Sequence, residues 1–218
     1  NHMLIPYMNS KEATHHLLKV DPRFNDLIKI YGPPKLQRTR NSFKSLVQNI
    51  INQQLSGKAA ASIYKRFLKL FPTSRFPTPN KVRQLSISQI QTAGVSLQKA
   101  TTIHELSDQY IQGHIRPHRF RHMSPDEITH ILTKVKGIGD WTASMFLMFS
   151  LNHPDILPIG DLGIRKGIQK LCGLENLPDS KTMLQIAEPW RPFRTAASWY
   201  LWRLLETKPD LTDTYDTD

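Results

Sequence analysis

The residues of this chain best placed to do chemistry lie in three short passages. They are Gly137-Ile138-Gly139, the polar break Asn52-Gln53-Gln54-Leu55-Ser56-Gly57, and Asp161 at the end of Leu157-Pro158-Ile159-Gly160-Asp161. Glycines take backbone angles closed to other residues and leave their amides uncovered by side chains. At the start of a helix those amides sit beside the positive end of the dipole and hold a phosphate whatever the base sequence. Lys136, just ahead of the glycines, has the charge for the same ligand. Taken singly, Gly-Ile-Gly marks a tight turn, and Asp161 before Leu162-Gly163-Ile164-Arg165 reads as a helix N-cap. The histidines lack metal-ligand spacing: His15 and His16 are adjacent and the others are scattered. No Walker loop, dinucleotide fingerprint or Ser-His-Asp order occurs, so neither a metal nor a cofactor is expected.

These passages need helices to position them, and helical periodicity dominates. Phe43, Leu46, Val47, Ile50 and Ile51 fall on one apolar stripe, and Ala60, Ile63, Phe67, Leu70 and Phe71 form a second that Pro72 ends. The Gln53-Gln54 break joins the two. Ser124-Pro125-Asp126-Glu127 has the form of a capped helix start, continued by Ile128, Ile131, Leu132 and Val135. A second helix, expected from about Trp141 through Phe149, follows the glycine pair, with Thr142-Ala143 near its start. Further helices are expected across about Asn80 to Gln112, after a proline-rich loop. No segment sustains period-two alternation, so the fold class predicted is all-α.

Length and charge narrow the partners. A chain of 218 residues with 39% apolar content builds a core, either as one large domain or as two interlocked lobes. Twenty-nine Lys and Arg against 18 Asp and Glu leave a formal charge of +11, which suits a polyanion. No apolar run approaches the length a bilayer requires, so a membrane partner is not expected. Cys172 stands alone and excludes both an internal disulfide and a four-cysteine cluster, which points to a reducing interior. Gly113 to His122 carries Arg116, Arg119, Arg121 and three histidines with no acid. It reads as a solvated loop or as one facing phosphates. Asp210, Asp213, Asp216 and Asp218 read as a frayed acidic tail, and Asn1-His2-Met3 as the remnant of a cleaved tag.

A capped helix, Gly-Ile-Gly, a second apolar helix and then a Gly/Pro loop ending in Asp161 together resemble the helix-hairpin-helix of base-excision DNA glycosylases. Within that superfamily the likeness is to the alkylbase (3-methyladenine) glycosylases. It is carried further by Gln53-Gln54-Leu55-Ser56 with Ala59-Ala60, by Ala93-Gly94-Val95-Ser96 with Lys99-Ala100, by Trp190-Arg191-Pro192-Phe193-Arg194-Thr195 and by Trp199-Tyr200-Leu201-Trp202. The resemblance spans roughly Lys19 to Leu205. It implies the fungal, all-helical form, since bacterial relatives carry an extra sheet lobe that this length does not hold. The implied organisation is a helical lobe over 42–153 and a second lobe from 4–41 plus 154–218, with the active cleft between them and residues 1–3 outside the fold.

The resemblance assigns roles residue by residue. Asp161 becomes the catalytic carboxylate, stabilising the oxocarbenium-like sugar as the base departs. Gln54 becomes the plug for the hole left by a flipped nucleotide, with Leu55 as a neighbouring wedge. Lys136, Gly137, Ile138, Gly139 and Thr142 hold backbone phosphate. Trp141, Met145 and Trp202 line the base pocket. Trp141 also stands where strand-cutting relatives use a Schiff-base lysine, which implies base removal without strand cleavage. Trp190 and Arg194 read as fold-holding residues beside the Asp161 loop. No cofactor is implied, apart from a monovalent cation that related hairpins bind through backbone carbonyls. The expected partner is duplex DNA with a damaged or abasic site, met by a nuclear monomer.

Three positions depart from the family's bacterial pattern. Met145 replaces a stacking tyrosine, Gly160 a second acid, and Leu162 an aromatic. They leave two functions open: an alkylbase glycosylase, or a non-catalytic binder of abasic or damaged DNA. A sequence-reading transcription factor ranks below both, because such a hairpin holds phosphates and reads no bases.

Overall fold

The computed structural model describes residues 7–36, 39–55, 57–72 and 76–206, and no strand occurs among them. In chain order the helices are α1 (Ser10–Val20), α2 (Asn25–Tyr31), α3 (Ser42–Asn52), α4 (Gly57–Lys69), α5 (Pro79–Gln84), α6 (Ile87–Gln91), α7 (Leu97–Ile111), α8 (Pro125–Thr133), α9 (Asp140–Met145), α10 (Leu162–Cys172), α11 (Ser180–Ala187) and α12 (Arg194–Leu205). The tag-like Asn1-His2-Met3 and the acidic residues from Asp210 onward lie outside the described residues.

Two compact units divide the chain: one contains Arg40–Phe146, the other Pro6–Thr39 with Leu147–Asp218. The boundary therefore falls after Phe146 and not after His153. The physical reason is the bonding of the segment between. The Met8 and Thr39 amides donate to the carbonyls of Asn152 and Ser150 at 3.0 Å each, and Thr195 Oγ1 donates to His153 O at 2.7 Å.

In the contiguous unit the α3 stripe is buried as its spacing requires, with Leu46, Val47, Ile50 and Ile51 fully enclosed. Each of these side chains contributes about 2 kcal/mol of apolar burial. Asn41 Oδ1 starts α3 by accepting from Lys44 N at 2.9 Å. The start of α8 forms the full capping box, with Ser124 N donating to Glu127 Oε2 at 2.6 Å and Glu127 N to Ser124 Oγ at 3.2 Å. α9 is shorter than the periodicity predicts. It ends at Met145 and continues as a π-helical turn over Phe146–Ser150.

The second unit packs α1, α2, α10, α11 and α12 around Leu17, Phe24, Ile168, Trp190 and Tyr200. α10 and α12 touch closely because of two glycines one helical turn apart. A Cβ on Gly167 would lie 2.8 Å from Leu201 Cβ and 2.9 Å from Leu201 O.

Candidate functional site

The polar break and the glycine hairpin are bonded to each other. Gln53, at the C-terminus of α3, donates Nε2–H to Gly137 O at 3.2 Å and to Thr142 Oγ1 at 2.9 Å. Lys99, in the first turn of α7, donates to Ile51 O at 2.8 Å and to Gln53 O at 2.6 Å. Gln54 follows with φ +55°, the left-handed region, which costs a side-chain-bearing residue about 1–2 kcal/mol. Leu55 is 39% exposed, so it does not belong to the core.

The hairpin itself is pinned from below. Gly137 has φ +97°, and a Cβ there would collide with the Thr102 side chain of α7. Gly139 differs: at the N-cap of α9 it carries no side-chain cap, and a Cβ would meet nothing within 4 Å. Lys136, Gly137 and Gly139 are exposed, whereas Ile138 turns its side chain into the core at 4% exposure. Thr142 is expected by resemblance among the residues that hold backbone phosphate, and its side chain is engaged within the protein. It is 2% exposed and its hydroxyl accepts from Gln53, so the side chain fastens the loop.

Trp141, in the first turn of α9, is 36% exposed, while Met145 at 7% is part of the interior. The basic passage forms a 3-10 turn over Pro117–His122. Phe120 anchors it against Phe146, with ring centroids 5.7 Å apart, and Arg116, Arg119 and Arg121 point to solvent. α8, nine residues and about 13 Å long, separates this turn from the hairpin.

In the other unit, Asp161 closes a turn in which its own amide donates to Pro158 O at 2.9 Å. Its Oδ1 accepts from Ile164 N at 2.8 Å, capping α10, and from Trp202 Nε1 at 3.0 Å. Trp202, assigned by resemblance to the base pocket, thus orients the carboxylate, and its ring stacks on Phe149 at 5.8 Å. Gly163 makes this possible, since a Cβ there would lie 2.9 Å from both Asp161 Oδ1 and Trp202 Cδ1. Gly163→Ala is expected to separate the pair and, with Asp161 in the catalytic role the resemblance implies, to lower activity about ten- to a hundredfold, the worth of one charge-assisted hydrogen bond. Helicity should be unchanged, since alanine favours a helix. Unaltered turnover would show that the indole bond is dispensable. Leu162 and Gly160, beside the carboxylate, are both exposed, and Leu162 reaches 52%.

The segment that delivers this turn is clamped by α12. Thr195 N donates to Pro154 O at 3.0 Å, Thr195 Oγ1 accepts from Ile156 N at 3.0 Å, and Arg194 grips Asp155 through Nε at 2.6 Å and Nη2 at 2.9 Å. Burial alone would raise the Asp155 carboxyl, but Arg194, helped by the charge of Arg191, outweighs it and holds the group below the usual carboxylate range. Trp190 works elsewhere, donating Nε1–H to Asp21 Oδ2 at 2.8 Å.

Sequence reasoning missed the roles of Gln53, Lys99, Thr102, Asp155 and Gly163. For Gly163 a signal existed in the four-residue spacing to Gly167. The others act on partners far along the chain. Among the described residues no group of three His, Cys, Asp or Glu has the geometry to hold a metal ion. No helix among them is long and apolar enough to cross a membrane.

A family model described as HhH-GPD superfamily base excision DNA repair protein matches residues 47–192. DNA-3-methyladenine glycosylase 1 of Schizosaccharomyces pombe is 34% identical over 196 residues, covering 88% of this chain and 86% of that protein. An alkylbase DNA glycosidase-like protein of the same organism is 28% identical and covers 89% and 93%. Among solved structures, the S. pombe 3-methyladenine DNA glycosylase in complex with abasic DNA superposes with a TM-score of 0.80 at 34% identity, covering 88% of this chain and 95% of that one. The DNA-3-methyladenine glycosidase of Bacillus halodurans gives 0.78 at 33% identity, with 93% and 92% covered.

Proposed function

We infer, because the chain belongs to the HhH-GPD superfamily of base excision DNA repair proteins, that it is a monofunctional DNA glycosylase removing alkylated bases of the 3-methyladenine type from duplex DNA. The observation that carries the reading is the Asp161 carboxylate, fixed by Ile164 N–H and Trp202 Nε1–H in a chain of this family. As the base leaves, positive charge develops on the sugar, and a carboxylate already oriented stabilises it without reorganisation. The same group would align the attacking water. Flipping costs a few kcal/mol, less for a damaged base. Gln54 and Leu55 would fill the vacated stack, and Lys136 with the Gly137–Gly139 amides would hold the backbone. Trp141 offers a face to a cationic alkylated purine and no amine to attack the sugar.

No cofactor enters this scheme. A monovalent cation at the hairpin would be held by main-chain carbonyl oxygens, hard donors suited to such an ion, and would take part in no step. The protein would act as a monomer in the nucleus.

The reading is tested by release of free methylated purines from alkylated duplex DNA, followed by chromatography. Release without strand scission is expected, together with binding that weakens steeply as salt rises. Tight binding to abasic DNA with no release would replace the glycosylase by a lesion binder. Met145 and Leu162, which depart from the family's bacterial pattern by resemblance, favour that second outcome, Met145 being buried and Leu162 exposed.

A further inference from the structure

We propose that Lys99 is a positioning residue that fixes the wedge loop against the hairpin, so that insertion into the base stack occurs at one set distance from the held phosphate. The proposal rests on the DNA-binding reading of both elements and extends it to α7, which neither element contains.

The last carbonyls of a helix lack amide partners and sit at the negative end of its dipole. Lys99 meets two such oxygens, Ile51 O and Gln53 O, at the end of α3. No carboxylate among the described residues pairs with it, and burial lowers the pKa of its ammonium group. A partly desolvated cation without a counter-ion is an expensive choice for simple packing, where leucine or methionine would serve. What it supplies is direction: two carbonyls are drawn toward one point on α7.

One helical turn along the same face, Thr102 lies under Gly137, and its hydroxyl donates to Gln98 O at 3.0 Å. Gln53 closes the figure by bonding Gly137 O and Thr142 Oγ1. The first turns of α7 thus carry both ends of the site, Lys99 the wedge loop and Thr102 the hairpin. Gln54, held at φ +55° between these bonds, has a backbone conformation that persists only where its surroundings over-determine it. Without Lys99 the end of α3 loses its brace, and Gln54 and Leu55 lose their fixed height above the hairpin.

The test separates grip from insertion. A duplex carrying an abasic-site analogue, with 2-aminopurine beside it, reports wedge insertion by fluorescence and needs no base release. Anisotropy on undamaged duplex reports grip. Lys99→Met is expected to abolish most of the fluorescence change and to slow single-turnover release about a hundredfold, the scale of a misplacement near 1 Å. Binding to undamaged duplex should stay within about twofold, since the hairpin amides are untouched. Lys99→Arg keeps the charge and donors and should restore insertion. Gln53→Met, which cuts the other half of the bracket, should reproduce the Lys99→Met result and guards against a fold defect in the first variant. Equal loss of grip and insertion in both Met variants, or insertion at the wild-type level, would overturn the proposal. If the wild type inserts but releases no base, the glycosylase reading fails and the role of Lys99 stands.

Discussion

Asp161→Asn is expected to leave the fold and DNA binding intact while reducing base release by at least about 10²–10³-fold, some 3–4 kcal/mol of transition-state stabilisation. Asparagine is as good a helix cap as aspartate, so Ile164 N–H keeps an acceptor and α10 keeps its start. The Trp202 indole also keeps one. Only the negative charge is lost, and that charge is what the departing base calls for. Single-turnover release and anisotropy on one preparation make the comparison. Loss of binding in step with release would identify Asp161 as a structural cap.

The second large effect falls on stability. Asp155→Ala is expected to destabilise the protein by about 3–5 kcal/mol, because it leaves the Arg194 guanidinium, only 10% exposed, without its carboxylate. That is a large share of the roughly 5–15 kcal/mol typical of a folded domain. Chemical denaturation at neutral pH measures it, and a loss under about 1 kcal/mol would mean that Arg191 and Arg194 find other partners. The same ion pair sets an acid limit. The folded Asp155 carboxyl lies below its ordinary 3.8, so the stability it contributes is fully present above that value and is lost as pH falls through the folded one. Asp21, also held low against its own burial by Arg23 and Trp190, adds in the same direction. His153 acts earlier. Burial depresses its pKa from 6.5, so the unfolded chain takes up the proton first and stability begins to fall as pH drops through 6.5. Denaturation midpoints should therefore decline in two stages on acidification.

How much of this was legible in the sequence depended on how far along the chain each cause lay. The α8 capping box, the α3 stripe and the tight turn at Gly137 are written within a few residues, and each is present where the pattern puts it. Asp161 as an N-cap is equally local. The bracket is not. Gln53 reaches partners 84 and 89 residues away and Lys99 reaches across 48, distances over which periodicity carries no information. The resemblance places Thr142 with the phosphate-holding residues of the hairpin. Its neighbour in space is Gln53, and that decides its role. Phe146 and Phe149 continue an apolar pattern that a π-helical turn serves as well as an α-helix, so periodicity alone does not reveal where α9 ends. The boundary after Phe146 depended on hydrogen bonds to Met8 and Thr39, which no local window contains.

The unit that holds Asp161 is assembled from two stretches of chain separated by more than a hundred residues, and this has a consequence for how the protein is made. Trp190 reaches Asp21 across 169 positions, and Tyr200 donates to Gly32 O across 168. On a ribosome adding about 5–20 residues per second, α1 and α2 emerge some ten to thirty seconds before the helices that cover them. For that interval Leu17 and Phe24 lack the helices that cover them, while Arg40–Phe146, a single stretch of the other unit, has already emerged whole. The stretch that would grip DNA is thus made before the helices that fix the Asp161 carboxylate.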